Sequence, residues 1–126
     1  MDKIAKGLVS GIVLLLASQT AFSATARLDA YVERTQLSDG RWGECMAGMD
    51  REIAVTGLDC PYKWVSFSCT GEFNAKTMGK QKYDMAQLAQ AMNYPVSVYV
   101  DDSRKHNGIC YGTRIVAPGF GTPAEQ

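Results

Sequence analysis

The sequence predicts a small α+β domain that is mainly β: a five-stranded barrel with one helix between its third and fourth strands. An antiparallel sheet with a single packed helix is the alternative. Three observations lead there. Short stretches of alternating apolar and polar residues recur between turn formers, one segment alone has helical spacing, and the patterned part of the chain closes in a hairpin around Asn107-Gly108.

The first strand is Arg27 to Arg34, with Leu28, Ala30 and Val32 on one side and Asp29, Tyr31 and Glu33 on the other. Ser38-Asp39-Gly40 breaks the chain, and Trp42 to Met49 reads as its hairpin partner. Ile53-Ala54-Val55 fits a further short strand ended by Gly57 and Pro61. In Trp64 to Cys69, Val65, Phe67 and Cys69 share the face predicted to look inward. Thr70 to Lys82 is polar and basic and reads as a loop. Met85, Leu88, Ala89 and Met92 then follow the i, i+3, i+4, i+7 spacing of a helix with one apolar stripe. Asp84 and Gln87 fit a capping box, Tyr83 and Leu88 a hydrophobic staple, and Asn93 and Pro95 the stop, so the helix is expected over Asp84 to Met92. Val96 to Val100 and Ile109 to Val116 are the last strands, joined by the polar segment Asp101 to Gly108.

Ahead of all this lies a leader. Lys3 and Lys6 precede an apolar run from Leu8 to Ala17, and Ala21 and Ser23 supply small residues for cleavage after Ser23. The run is about half the length a membrane-spanning helix needs. The expectation is a cleaved signal peptide over 1–23, one domain over 24–117, a flexible tail over 118–126, and a periplasmic or secreted bacterial protein without a stable membrane anchor. All four cysteines, Cys45, Cys60, Cys69 and Cys110, follow the leader, which predicts two structural disulfides in an oxidising compartment. Three pairings are possible. With Cys69 facing the core and Cys110 opening the last strand, Cys69 with Cys110 and Cys45 with Cys60 is favoured.

Acidic and basic residues balance over the whole chain, so bulk charge points to neither nucleic acid nor an anionic membrane. His106 is the single histidine, placed by the sequence in an exposed loop beside Asp101, Asp102 and Ser103 with no rigid element to orient a catalytic set. Close cysteine pairs for zinc and the spaced acids of a calcium loop are missing from the sequence, and no cofactor motif occurs, so no metal or cofactor is expected. The aromatics are more informative. Tyr31, Trp42, Trp64, Tyr99 and Tyr111 fall on strands, several of them opposite the core face, where rings stack on sugars or anchor protein partners. With Arg104, His106 and Asn107 of the last loop they form the candidate binding residues.

The order of strands, helix and hairpin, carried mainly by Asp84 to Val116 with its His106-Asn107-Gly108 turn, resembles the receptor-binding B subunits of Shiga-type pentameric toxins. Those are OB-type Greek-key barrels. The resemblance implies a ring-forming, glycan-binding chain. It carries over no sugar-contacting residue, and a longer mature chain with two bridges departs from it. The expected function is therefore an exported non-enzymatic binding module for a glycan or an exported protein partner, with a homo-oligomer possible. A small inhibitor or accessory factor of another exported protein is the alternative, and a hydrolase built around His106 the third.

Overall fold

The computed structural model describes residues 24–120, in which five strands close into an OB-like barrel with one helix. In chain order these are β1 (Thr25–Leu37), β2 (Cys45–Met49), β3 (Trp64–Ser66), α1 (Lys76–Met92), β4 (Pro95–His106) and β5 (Ile109–Val116). Around the barrel the order is β1, β2, β3, β5, β4 and back to β1. The long β1 is shared. Its first half pairs antiparallel with β4, from Thr25 opposite Asp101 to Tyr31 opposite Pro95, and its second half pairs with β2 after a register shift beyond Val32. Closure falls to β3 and β5, the parallel pair, through Val65 opposite Cys110 and Ser66 opposite Tyr111.

Alternation fills the interior as the sequence predicts for β1 and β4: Leu28, Ala30, Val96, Val98 and Val100 are almost wholly buried. Phe67 occupies the centre. A Cβ on Gly112 would come within 2.6 Å of Val65 and 3.0 Å of the Phe67 ring, so the glycine is what lets that ring fit.

Several elements differ from expectation, each for a local reason. The helix begins at Lys76 rather than Asp84, absorbing half of the expected loop, and Ala75 provides no side-chain cap. Asp84 lies mid-helix and pairs with Lys80 at 3.4 Å. The buried face of α1 is Gly79, Lys82, Tyr83, Ala86 and Ala89, while Met78, Met85, Leu88 and Met92 are exposed. The helix lies too close to the barrel for large side chains: a Cβ on Gly79 would sit 2.6 Å from the Phe67 carbonyl oxygen. Ile53–Thr56 is a 3-10 turn rather than a strand. The polar segment after Val100 is mostly β4, with the Asp101 carboxylate accepting from Ser103 N–H (2.8 Å) and Oγ (2.6 Å) and so filling the register break between Asp101 and Lys105. Only Asn107 and Gly108 remain as the turn, both at positive φ.

The disulfides correct the favoured pairing: Cys45 bonds Cys69 and Cys60 bonds Cys110, with Cα separations of 5.7 and 6.0 Å. Alternation along 64–69 fails because β3 ends at Ser66 and Ser68 takes a left-handed conformation (φ 54°). The chain then turns so that Cys69 N–H donates to the Gly43 carbonyl at 2.8 Å, beside Cys45. Cys60–Cys110 in turn spans the β3–β5 closure. Packing continues past residue 117, where the tail was expected to start: Gly119 N–H donates to the Pro95 carbonyl (2.6 Å), and Phe120 N–H to Ser97 Oγ (2.8 Å). The expected leader and the last six residues lie outside the described residues.

Candidate functional site

A concavity of about 360 Å³ lies on the outer face of β2 and β3. Its aromatic walls are Trp42, Tyr62 and Trp64, its floor is Met46 and Ile109, and Gln36 and Asn107 present carboxamides at its edge. None of these seven side chains is charged. They come from β1, the β1–β2 connection, β2, the entry to β3 and the β4–β5 hairpin. Trp42 ends the 3-10 turn Gly40–Trp42, which Asp39 caps by accepting from Arg41 N–H at 3.1 Å, and the Arg41 guanidinium lies 5.4 Å from the Trp42 ring centre. Trp64 opens β3 and lies over Gly48 of β2, where any Cβ would press on the indole at 3.3 Å. Gln36 and Met46 are paired across β1 and β2. Asn107 is the first residue of the β4–β5 turn, and Tyr62 lies beside Gly108.

Behind this concavity is a buried polar cluster. His106, expected in an exposed loop, is 5% exposed because β4 runs through it into the barrel wall. Its Nε2 is 3.0 Å from Ser68 Oγ and its Nδ1 3.5 Å from a Glu72 carboxylate oxygen. The order serine, histidine, carboxylate has the connectivity of a hydrolytic triad. Ser68 is wholly buried, however, its Oγ already accepts from Phe73 N–H at 3.0 Å, and the Phe73 ring packs at a tilt against the imidazole with centroids 4.7 Å apart. In this arrangement the three groups lock the 68–73 loop, and no substrate carbonyl reaches Oγ. Burial pushes the His106 pKa below its ordinary value, with Glu72 opposing.

Tyr111, expected outside, is 4% exposed. Its hydroxyl donates to Asn74 Oδ1 (2.8 Å) and accepts from Lys82 Nζ (3.0 Å), which also donates to Asn74 Oδ1 (2.8 Å) and to the Gly112 carbonyl (3.1 Å). With no carboxylate partner among the described residues, the buried Lys82 ammonium is destabilised by desolvation and by Arg104, which lowers its pKa to about 8. Arg104 pairs with Asp101 at 2.8 Å and lies over the Tyr111 ring.

Of the sequence candidates, then, Trp42, Trp64 and Asn107 converge on one concavity. Tyr31 is elsewhere, edge-on to Phe120 at 5.9 Å, and Tyr99 lies under the Arg114 guanidinium. Tyr111, Arg104 and His106 belong to the packed network behind. Sequence reasoning missed Tyr62, Gln36, Met46 and Ile109. Tyr62 follows Pro61 outside any periodic segment, so no local spacing singled it out. A larger concavity of about 520 Å³ lies beside Leu37 and the start of α1, with charged groups of both signs, Glu44, Lys76 and Lys80, around an apolar floor. Among the described residues no group of three or more histidine, cysteine or acidic side chains is placed to hold a metal ion, and no helix is long and apolar enough to cross a membrane. Comparison with protein-family models, curated proteins and solved structures finds no match to this chain.

Proposed function

We propose that this chain is an exported, non-enzymatic binding module that holds a neutral glycan in the Trp42–Tyr62–Trp64 concavity. The observation that carries the reading is the convergence of three outward rings and two carboxamides, with no charge, on one surface. Indole and phenol faces stack on the C–H faces of sugar rings, and Gln36 and Asn107 supply both donors and acceptors for hydroxyl groups. None of the seven lining side chains is a cation, and the neighbouring Arg41 guanidinium is held over the Trp42 ring, which disfavours phosphate-bearing nucleic acid as the occupant. The location supports the same reading: the β2–β3 face, flanked by the β1–β2 and β4–β5 connections, is where OB barrels take oligosaccharides and oligonucleotides. A volume of about 360 Å³ is at the small end for a ligand site, fitting one or two sugar units rather than a long chain. Export is supported by two disulfides that use all four cysteines, a state compatible with an oxidising compartment.

Titration of the oxidised protein with a panel of neutral oligosaccharides tests this. Binding is expected for some member, and Trp64→Ala is expected to weaken it by about fivefold or more, taking the ~1–3 kcal/mol by which a nucleobase stacks on an aromatic ring as the guide. Silence across the panel would count against a glycan.

A protein partner is the second reading, favoured by one observation. Met78, Met85, Leu88 and Met92 are 37–56% exposed along one side of α1. Their spacing repeats every seven residues, the pattern of a helix that packs against another helix, whether from a second copy or from an exported partner. Light scattering at micromolar concentration distinguishes the self-associating version from a monomer.

A further inference from the structure

We propose that His106 is a pH gate for the Trp42–Trp64 concavity, its neutral imidazole holding the site's two flanking turns in place and its protonation releasing them. This rests on that concavity being the binding site. The imidazole packs against one turn, and its backbone leads into the other. Its own chain continues directly into Asn107, at one edge of the concavity. Across the ring, Cδ2 would lie 2.7 Å from a Cβ on Gly43, the residue after Trp42, so only glycine leaves room for it there. Ser66 Oγ packs into the same gap, donating to the Trp42 carbonyl at 2.8 Å and accepting from Ser68 N–H at 3.2 Å.

The hydrogen bonding favours one protonation state. Ser68 Oγ accepts from Phe73 N–H, which leaves the hydroxyl proton to donate to an unprotonated Nε2, while Nδ1–H points to Glu72. A second proton on the ring turns Nε2 into a donor. Ser68 Oγ then faces two donors, and its own proton loses its acceptor in a site without exposure. Repairing that requires Ser68 or the ring to move, and the ring packs against Gly43 while its own backbone leads into Asn107. The charged groups around the ring are unequal. Glu72, on the 68–73 loop, is the anion that faces it. Phe73 and Tyr111 separate the ring from the cations Lys82 of α1 and Arg104 of β4, and Arg104 is itself paired with Asp101. Burial disfavours the charged form of the ring, and Glu72 opposes that effect.

The chain offers an internal reporter for this, because it has two tryptophans, both in the concavity, and a single histidine. Tryptophan emission of the full oxidised chain is followed from pH 8 to pH 5 without ligand, in parallel with an NMR titration of the His106 ring. The emission is expected to change with the midpoint of the ring, below the ordinary histidine value. Glu72→Gln removes the favourable anion and is expected to move both midpoints to lower pH together. His106→Gln, which stays neutral, is expected to leave emission flat over the same range. If His106→Gln does not fold, the Glu72→Gln comparison carries the test, since that side chain is exposed. The proposal is overturned if emission stays constant while the ring titrates, if the transition persists in His106→Gln, or if Glu72→Gln shifts the ring's midpoint without shifting the emission. Because no sugar is present, failure here is separate from a silent oligosaccharide panel at pH 7.5.

Discussion

One wall of the barrel is held by backbone pairing and the other by covalent bonds. Seven residue pairs join β1 to β4 and seven join β4 to β5, and neither β1 nor β4 contains a cysteine. The opposite wall has three pairs between β2 and β3 and two between β3 and β5, and both disulfides lie there. That thin wall also carries the three-ring concavity. A three-residue strand cannot hold outward tryptophans in register by its ladder alone, so the bridges at Cys45–Cys69 and Cys60–Cys110 take over the ladder's role. The four cysteines fix the surface that the ladder pairs least.

The largest effect is expected at the residue the two walls share. Phe67→Ala empties the centre of the barrel and should cost about 3–5 kcal/mol by denaturant titration, lowering both walls together. Replacing Cys60 and Cys110 by alanine should cost about 2–5 kcal/mol. It should also sharpen the contrast, because amide exchange is expected to quicken in β2 and β3 well before β1 and β4. Uniform loss of protection along all five strands would break the contrast.

A smaller and pH-dependent effect is expected behind the thin wall, at Lys82. Its folded-state pKa is lowered from 10.5 to about 8, so between those values the unfolded chain binds more protons than the folded one. Stability should therefore rise with pH from about 8 toward 10, and the full desolvation penalty applies below that window. Thermal melts in Lys82→Met should lose this rise. A similar slope in the variant would assign it to another group. The smallest effect belongs to the outer face of α1: Leu88→Gln should change monomer stability by no more than about 0.5 kcal/mol, since no barrel residue depends on it.

The contrast between walls also explains what the sequence made legible. In β1 Leu28, Ala30 and Val32 alternate with polar or exposed residues, and its existence and faces follow from periodicity, whereas β5 shows as an apolar run after the Asn107-Gly108 turn without a clean alternation. β4 was half visible: Val96 to Val100 alternates, whereas Asp101 to Lys105 is polar because the Asp101 carboxylate, not apolar burial, organises the irregular strand. The helix misled more deeply. Its close approach to the barrel requires Gly79, Ala86 and Ala89 inside, so its larger apolar side chains are the exposed ones, the reverse of the usual amphipathic rule. Of the site, Trp42, Trp64 and Asn107 could be singled out as outward rings and a turn residue. That they meet, with Tyr62 and Gln36 beside them, depends on β3 closing against β5 and on the Ser68 bend, which local spacing does not encode. His106 was misplaced for the same reason: a polar sequence neighbourhood hid a strand that carries the ring inward.

The central claim is that the bridged wall holds a glycan against its two tryptophans. Emission of the wild-type chain titrated with neutral oligosaccharides at pH 7.5 tests it most directly, because both indoles line the concavity. The account predicts a saturable change in emission that is lost in Trp64→Ala while the variant remains folded. Saturable glycan binding that leaves emission unchanged, or that survives undiminished in Trp64→Ala, would contradict it.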